Sequence, residues 1–363
     1  MILPEKVAVI GASGFIGSRI VELFHLGGLC DVVPVVRGVN GLSRLSRFDL
    51  DWRLADACQP MPLAKALAGC DAAIHGVVGD PHVIEAAAAA LLPAAAQAGV
   101  RRVVYLSTAS VHGQCPVSGT SEESELSDRQ EFEYNNAKVR AERTLFRDTV
   151  RYPVELIVLR PSVVFGPRDR WVGTLVTELE QGLAWMIRDG DGICNTIYVD
   201  NLVHAIRCSL EAPDEALGRA YFVGDTETVT WRLLYEQVCG HLGLSREVIH
   251  HIAVPTFPAR TTLERLDGLR ATPTAQRLIE KVPSRVKGVA KGALNGLKPF
   301  TFPNPWQLPP IPSPVASREM VLLQNCTYRL PHDKAMQLLH YEPPVLFREG
   351  IDRTLAWLKW TRS

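Results

Sequence analysis

The sequence predicts an α/β protein built on a doubly wound parallel sheet, with a smaller, mostly C-terminal second domain. Short apolar runs rich in β-branched residues alternate with longer segments of helical spacing, and this order is typical of parallel strands joined by helices. A glycine-rich turn, residues 11–17, stands between the first such run and the first helical segment. Of the 363 residues, 47% are apolar, which is enough for a large core.

The first element is a strand–turn–helix unit, with the strand at residues 6–10 and the helix beginning after the turn. Gly11 would allow the tight turn, Gly14 would let the backbone approach a pyrophosphate, and Gly17 would let the helix lie close to the strand. The free N–H groups of the helix start would hold phosphates. The turn residues predicted to contact a dinucleotide are Gly11, Ser13, Gly14, Phe15, Ile16 and Gly17. A tight turn without a ligand is the alternative.

The second strand, residues 32–36, ends at Arg37. At this point an acidic residue binds the ribose 2′-hydroxyl of NAD, whereas an arginine accepts the 2′-phosphate of NADP. Arg37 therefore favours NADP(H), with NAD(H) as the other option, and Arg44 or Arg47 would assist. A solvated charge at the strand end is the alternative interpretation.

Three more strands and a helix follow. Residues 49–57 predict the third strand, residues 70–77 the fourth, and residues 100–106 the fifth, which ends at Ser107 and Thr108. Between the last two, residues 84–98 form an alanine-rich helix that is apolar on all sides, so we expect it to be buried.

The next predicted helix, residues 132–148, carries Tyr134 and Lys138. Residues four apart lie on one helix face. A tyrosine with a pKa near 10 is a poor base at neutral pH, but a nearby ammonium favours the phenolate and lowers that pKa. We therefore expect Tyr134, with a lowered pKa, to exchange a proton with a carbinol or carbonyl oxygen.

A sixth strand, residues 154–159, and two further helices follow. From residue 253 to about residue 320 the composition changes to a proline-rich, partly basic segment. Residues 278–298 combine five basic residues with apolar ones. This segment has three interpretations: a helix that contacts a membrane surface, a lid over the pocket, or a solvated helix with one face in the core. The solvated helix is favoured.

Composition excludes several classes of protein. The formal net charge is zero, so nothing steers the surface towards nucleic acid. The eight cysteines are scattered without a C-x-x-C pair, which indicates thiols in a reducing compartment and no metal site. The first strand starts too early for a signal peptide, and no apolar run is long enough to span a bilayer. We expect a cytoplasmic protein.

The glycine spacing G-x-x-G-x-x-G, the Ser-Thr strand end and Tyr-x-x-x-Lys occur in the order typical of one family. With Leu-Arg-Pro-x-x-x-x-Gly-Pro at 159–167 and Tyr-Val-Asp-Asn at 198–201, the chain resembles the extended short-chain dehydrogenase/reductases. This family includes the NAD-dependent epimerases and dehydratases. Within it, the motifs of this chain look closer to those of the 3β-hydroxysteroid dehydrogenase and dihydroflavonol reductase-like members than to those of the nucleotide-sugar enzymes. The resemblance covers about residues 7–242.

The resemblance implies a Rossmann-type domain at residues 1–170, to which residues 196–215 return, and a substrate-binding domain at 171–195 and 216–363. It implies that Thr108 orients the reacting oxygen, Tyr134 moves the proton, and Lys138 tunes Tyr134 and holds the nicotinamide ribose. Further cofactor contacts implied are Asp56, Ala57, Ser107, Pro161 and Val163. The alanine-rich helix would form half of a homodimer interface.

Two departures favour simple oxidation or reduction of a small-molecule substrate. Sugar-nucleotide dehydratases and decarboxylases of the family usually carry an acid within two positions of the catalytic Ser/Thr, where this chain has Ala109 and Ser110. Many nucleotide-sugar enzymes carry an Asn where this chain has Val163. A sugar-nucleotide epimerase that uses bound NAD transiently, and a non-catalytic module that senses NADP, are the alternatives.

Overall fold

A seven-stranded sheet forms the centre of the protein, in a computed structural model that describes residues 3–257 and 313–362. The strands along the described chain are β1 (Lys6–Ile10), β2 (Asp31–Val36), β3 (Arg53–Leu54), β4 (Ala72–His75), β5 (Arg102–Leu106), β6 (Glu155–Pro161), β7 (Val163–Phe165), β8 (Trp185–Ile187), β9 (Thr196–Tyr198), β10 (Arg219–Val223) and β11 (His250–Ile252). The main sheet has the order β10-β6-β5-β4-β1-β2-β3, and every pairing in it is parallel.

Helices cover both faces of this sheet. They are α1 (Phe15–Leu26), α2 (Pro60–Leu67), α3 (Pro81–Ala98), α4 (Glu133–Asp148), α5 (Trp171–Glu180), α6 (Val199–Leu210), α7 (Trp231–Leu242), α8 (Arg318–Asn325), α9 (Asp333–Leu339) and α10 (Phe347–Arg362). One apolar cluster joins the sheet to α1, α6 and α9, and another joins its opposite face to α2, α3 and α4. The predicted doubly wound parallel sheet is confirmed.

The third strand is shorter than predicted. Only two residues, Arg53 and Leu54, pair with β2, in register with Val35 and Val36. The guanidinium of Arg53 instead donates to the carbonyl oxygens of Ala66 and Ala68, at 2.9 and 2.7 Å. These bonds tie the strand to the end of α2 at the edge of the sheet.

A third apolar cluster lies beyond the main sheet. It combines α5, α7 and α10 with two short parallel pairs, β7 with β9 and β8 with β11. Asn201 at the start of α6 exchanges two hydrogen bonds with the backbone of Val345, at 2.7 and 2.9 Å, which fixes the C-terminal segment. Residues 3–254 and 316–362 pack as one compact unit. The predicted division at residue 170 stays a prediction, and segment 278–298 lies outside the described residues.

Helix α3 is buried along one side only. Asp80 caps it by accepting a hydrogen bond from the N–H of His82 at 3.0 Å, and Gly99 ends it at φ +76°. It lies between α2 and α4 against the sheet, so Ala86 and Ala89 remain exposed on its outer side. The expectation of burial on all sides is therefore corrected. In the described ranges no helix has the length and apolarity needed to cross a membrane.

Candidate active site

The glycine turn joins β1 to α1 at the carboxyl edge of the sheet. Gly11 has φ +86°, and a Cβ there would lie 3.1 Å from the backbone of Gly76. A Cβ on Gly17 would lie 2.2 Å from the carbonyl oxygen of Gly11, so α1 can pack only with glycine there. A Cβ on Gly14 would meet only that same oxygen, at 3.4 Å. Packing therefore requires the first and third glycines, whereas the middle one faces open space.

The start of α1 suits an anion. Gly14 caps the helix without a side-chain hydrogen bond, and its first turn carries no acidic residue. The first N–H groups of a helix lack intrahelical acceptors and carry the positive end of the dipole. Arg44 lies over the turn, with its guanidinium 3.5 Å from the carbonyl oxygen of Ser13. These features fit a bound pyrophosphate, and Phe15 and Ile16 open the helix beside it.

The arginines around the turn differ in their partners. Arg47 forms an ion pair with Glu22 of α1, and Arg168 lies 3.5 Å from the same carboxylate. Arg37, after β2, is exposed and has no ion-pair partner in the part of the chain that the structure describes. The carboxyl group of Asp56, after β3, accepts a hydrogen bond from the N–H of Cys58 at 3.0 Å. Arg37 thus keeps a guanidinium available beside the turn.

Thr108 and Tyr134 line one pocket of about 210 Å³ at the same edge of the sheet. Its wall also includes Ser110, Ser162, Val163 and, from the C-terminal part of the chain, Trp231, Leu323 and Leu330. The end of β5, the start of α4 and the β6–β7 connection bring these residues together. The structure therefore places two of the three predicted catalytic side chains in one cavity, with Val163 beside them.

The Thr108 hydroxyl forms the cap of a short 3₁₀ turn, residues 109–112. It accepts a hydrogen bond from the N–H of Ser110 at 3.2 Å and lies 2.9 Å from the hydroxyl of Ser110. Because it is only partly buried, it remains available to a ligand in the pocket. Thr108 and Ser110 therefore present two hydroxyl groups to one point in the cavity.

Ser107 belongs to a buried network behind the pocket. Its hydroxyl donates to the carboxylate of Glu142, which also accepts two hydrogen bonds from the guanidinium of Arg160, at 3.1 and 2.6 Å. Arg160 further donates to the carbonyl oxygen of Glu122 at 2.9 Å. All three side chains of this network are buried. Of the two hydroxyl groups at the end of β5, that of Thr108 is therefore the one available to a ligand in the pocket.

Lys138 is fully buried, and its amine contacts β5. It donates to the carbonyl oxygen of Leu106 at 2.8 Å and lies 3.4 Å from the hydroxyl of Tyr105. Burial lowers the pKa of Lys138 to about 8, against a smaller opposing effect of the Glu142 carboxylate. In the described residues no hydrogen bond joins Lys138 to Tyr134.

The expected lowering of the Tyr134 pKa is wrong. Desolvation raises the pKa of Tyr134 to about 12, and the nearby carboxylate of Glu319 raises it further. Although 37% of Tyr134 is exposed, desolvation of the rest of the ring disfavours the phenolate, and the amine of Lys138 is turned towards the strand. Tyr134 is therefore a phenol that holds its proton at neutral pH.

The remaining predicted cofactor contacts surround the turn and the pocket. Ala57 is half-buried next to Asp56, and Pro161 is buried at the end of β6. Because β1, β2, β3, β5 and β6 are parallel, the residues that follow them meet at one edge. Ligands of open parallel sheets bind in such a crevice.

Three polar residues of the pocket were not found from the sequence, and one of them, Asn195, holds the backbone of Tyr328 and Leu330. Gln114, two residues after the 3₁₀ turn, and Glu319, on α8, both line the cavity, and the Gln114 amide lies 3.3 Å from the Glu319 carboxylate. Gln114 could have been inferred from its closeness to Thr108. Glu319 follows a long proline-rich segment, and no local pattern placed it near Tyr134.

The model of the NAD dependent epimerase/dehydratase family matches residues 7–224. The chain is 23% identical over 380 residues to a 3beta-hydroxysteroid-dehydrogenase/decarboxylase of Arabidopsis thaliana, with 96% of this chain and 78% of that protein covered. It is 28% identical over 269 residues to a 2-alkyl-3-oxoalkanoate reductase of Stenotrophomonas maltophilia, with 66% of this chain and 77% of that protein covered.

Among solved structures, the fold is similar to that of a dTDP-glucose 4,6-dehydratase from Streptomyces venezuelae with NAD bound. The TM-score is 0.69 and the identity 19%, with 98% of this chain and 97% of that chain covered. At this identity the similarity shows the fold.

Proposed function

The chain belongs to the NAD-dependent epimerase/dehydratase family, and from that premise we propose that it is an NAD(P)-dependent dehydrogenase or reductase that transfers hydride at one secondary alcohol or ketone carbon. The observation that carries the proposal is the single cavity shared by Thr108 and Tyr134, at the edge where the glycine turn opens. The names of the relatives, a hydroxysteroid dehydrogenase/decarboxylase and an oxoalkanoate reductase, agree with this reaction class.

The cofactor would lie along the glycine turn. The open space at Gly14 and the free start of α1 support pyrophosphate binding there. Arg37, with Arg44 beside it, supports a 2′-phosphate and hence NADP(H) over NAD(H). When bound, the nicotinamide would supply or accept the hydride.

The protein's own groups would manage the oxygen of the substrate. Thr108 would donate a hydrogen bond to the carbonyl oxygen, and Tyr134 would transfer its phenolic proton to that oxygen as the carbon receives hydride. A pKa of about 12 keeps Tyr134 protonated at neutral pH, which suits the reduction direction. The amine of Lys138 is held on the carbonyl oxygen of Leu106, so contact with the nicotinamide ribose would require this amine to turn towards the pocket.

The pocket supports a substrate with an apolar body. Its wall includes Trp231, Leu323 and Leu330, and no lysine or arginine lines it among the described residues. A nucleoside diphosphate sugar brings two phosphates, which are recognised by such cations. The pocket therefore favours a ketone or alcohol over a nucleotide sugar.

The test is to incubate the protein with NADPH or NADH and a panel of apolar ketones and nucleotide sugars, following absorbance at 340 nm. We expect net NADPH oxidation with ketones. Tyr134→Phe should lower kcat by about 10²–10⁴-fold and leave the Kd for NADPH unchanged. Tyr152→Phe is the control, because Tyr152 packs against the apolar cluster of α2, α3 and α4 and does not line the pocket.

Three results would contradict the proposal. An unchanged rate in Tyr134→Phe would remove its catalytic role. Conversion of a nucleotide sugar without net cofactor oxidation would indicate an epimerase, and NADPH binding without any turnover would indicate a sensing module. The homodimer, the cytoplasmic location and membrane contact through 278–298 stay predictions.

A further inference from the structure

Helix α8 places a carboxylate in the substrate pocket. Ser317 starts this helix by accepting a hydrogen bond from the N–H of Met320 at 3.2 Å. Glu319 and Leu323 are four residues apart, so they lie on the same helix face, and both line the cavity that holds Thr108 and Tyr134. A distant part of the chain thus brings a carboxylate into the pocket.

Gln114 fixes the position of this carboxylate. The side-chain oxygen of Gln114 accepts a hydrogen bond from the amide of Asn135 at 2.9 Å, and the same amide donates to Gln130 at 2.9 Å. The NH₂ group of Gln114 donates to the side-chain oxygen of Asn135 at 3.4 Å and to the Glu319 carboxylate at 3.3 Å. Gln114 and Asn135 are both buried, so the donor that faces Glu319 is held in place.

No cation neutralises Glu319 within the described residues. The neighbouring Arg318 forms an ion pair with Glu131 at 2.5 Å instead. Gln114 is the one hydrogen-bond donor to Glu319 in residues 3–257 and 313–362. A carboxylate has about four acceptor sites, and the described part of the chain occupies one of those of Glu319.

The pocket therefore presents two kinds of polar group. The hydroxyls of Thr108 and Tyr134 can donate to the oxygen at the reacting carbon, whereas the Glu319 carboxylate held by Gln114 offers acceptors. Glu319 and Tyr134 line the same cavity, and the Glu319 carboxylate raises the pKa of the phenol.

We infer that Glu319, oriented by Gln114, determines specificity by accepting a hydrogen bond from a second hydroxyl of the substrate and by repelling substrates with a carboxylate or phosphate in that place. This inference rests on the proposed function, because it assigns the substrate class of the same pocket. The substrate is then a neutral hydroxy-ketone, or the corresponding diol. A fixed acceptor strengthens the binding of a hydrogen-bond donor and weakens the binding of an anion, and specific sites commonly combine the two effects.

The test uses three matched probes: 1-tetralone, 6-hydroxy-1-tetralone and 6-carboxy-1-tetralone. Their Kd values are measured by calorimetry on the full chain, with and without NADPH. The wild-type protein should bind the hydroxy compound about tenfold more tightly than 1-tetralone, and the carboxylate at least tenfold more weakly, because hydrogen bonds to charged groups are the strong ones.

Two variants separate charge from hydrogen bonding. Glu319→Gln keeps an acceptor oxygen, so it should retain the preference for the hydroxy compound and lose the penalty on the carboxylate. Glu319→Lys should make the carboxylate the tightest ligand. Glu342→Gln is the control, because Glu342 is exposed and does not line the pocket.

Wild-type affinity for the carboxylate equal to that for the hydroxy compound would overturn the inference. So would an unchanged order of affinities in Glu319→Lys, or a lack of binding of all three probes at millimolar concentration. Failure of the proposed function looks different: the binding order would follow Glu319 as expected, while no probe oxidised NADPH and Tyr134→Phe changed nothing.

Discussion

Lys138 lies on the helix face that the sequence spacing predicts, but its amine forms its hydrogen bond with β5 and not with Tyr134. Spacing of four residues places it on the same face of α4 as Tyr134. Its amine nevertheless lies against β5, where the carbonyl oxygen of Leu106 accepts its hydrogen bond. Desolvation then dominates both groups, because it lowers the pKa of Lys138 and raises the pKa of Tyr134.

Burial of the Lys138 charge predicts a trade-off between function and stability. At pH 7.5 the folded protein must hold an ammonium whose pKa is lowered from 10.5 to about 8, a cost of roughly 3 kcal/mol at 1.36 kcal/mol per unit. Lys138→Met should therefore abolish turnover while raising the free energy of unfolding by about 1–3 kcal/mol, as measured by urea denaturation.

The free energy of unfolding should depend on pH through the Lys138 proton. Between pH 8 and 10.5 the unfolded chain binds the Lys138 proton and the folded chain does not, so wild-type stability rises with pH in this window. The advantage of Lys138→Met over wild type should shrink there. A variant that is less stable than wild type at every pH would show that the hydrogen bond to Leu106 outweighs the cost of burial.

Arg37 predicts the choice between the two nicotinamide cofactors. Arg37→Ser should raise the KM for NADPH about ten- to a hundredfold, the range expected for one charge-assisted hydrogen bond, and leave the KM for NADH nearly unchanged. Arg101→Ser is the matched control, since Arg101 is also exposed but precedes β5 at the amino edge of the sheet. Equal effects on both cofactors would place Arg37 outside the 2′-phosphate site.

At the scale of one element, the β1–α1 turn separates packing glycines from a ligand-facing glycine. Gly17→Ala would put a Cβ 2.2 Å from the carbonyl oxygen of Gly11, and such overpacking should destabilise the protein by about 1–3 kcal/mol. Gly14→Ala meets nothing closer than 3.4 Å, so stability should change by less than about 0.5 kcal/mol. Thermal unfolding of the two variants measures the difference.

The same pair of variants tests the cofactor site. Gly14→Ala should weaken NADPH binding at least tenfold in a fluorescence titration, because the added methyl occupies the space left for the pyrophosphate. Undiminished NADPH affinity in this stable variant would mean that the cofactor does not approach the turn. Gly17→Ala serves as the comparison, since its defect is expected in folding.

The whole fold was more predictable than the site. Alternating strands and helices determine a doubly wound sheet, and parallel strands bring the residues after β1, β2 and β5 to one edge, which is why the turn, Arg37 and Thr108 could be grouped from the sequence. Glu319 could not, because it reaches the pocket through the packing of α8 against the C-terminal cluster. Ser107 and Lys138 were identified in sequence, but their burial depends on tertiary contacts with Glu142 and β5.

At the scale of the assembly, the outer side of α3 is the predicted homodimer contact. Ala86 and Ala89 are exposed one turn apart, and small side chains let two helices approach closely. If two copies pack there, Ala89→Arg should convert a particle of about twice 40.0 kDa into a monomer in analytical ultracentrifugation. The control, Met336→Arg on α9, changes an exposed residue over the opposite face of the sheet and should leave the mass unchanged. A wild-type mass of one chain, or a dimer that survives Ala89→Arg, would exclude α3 as the contact.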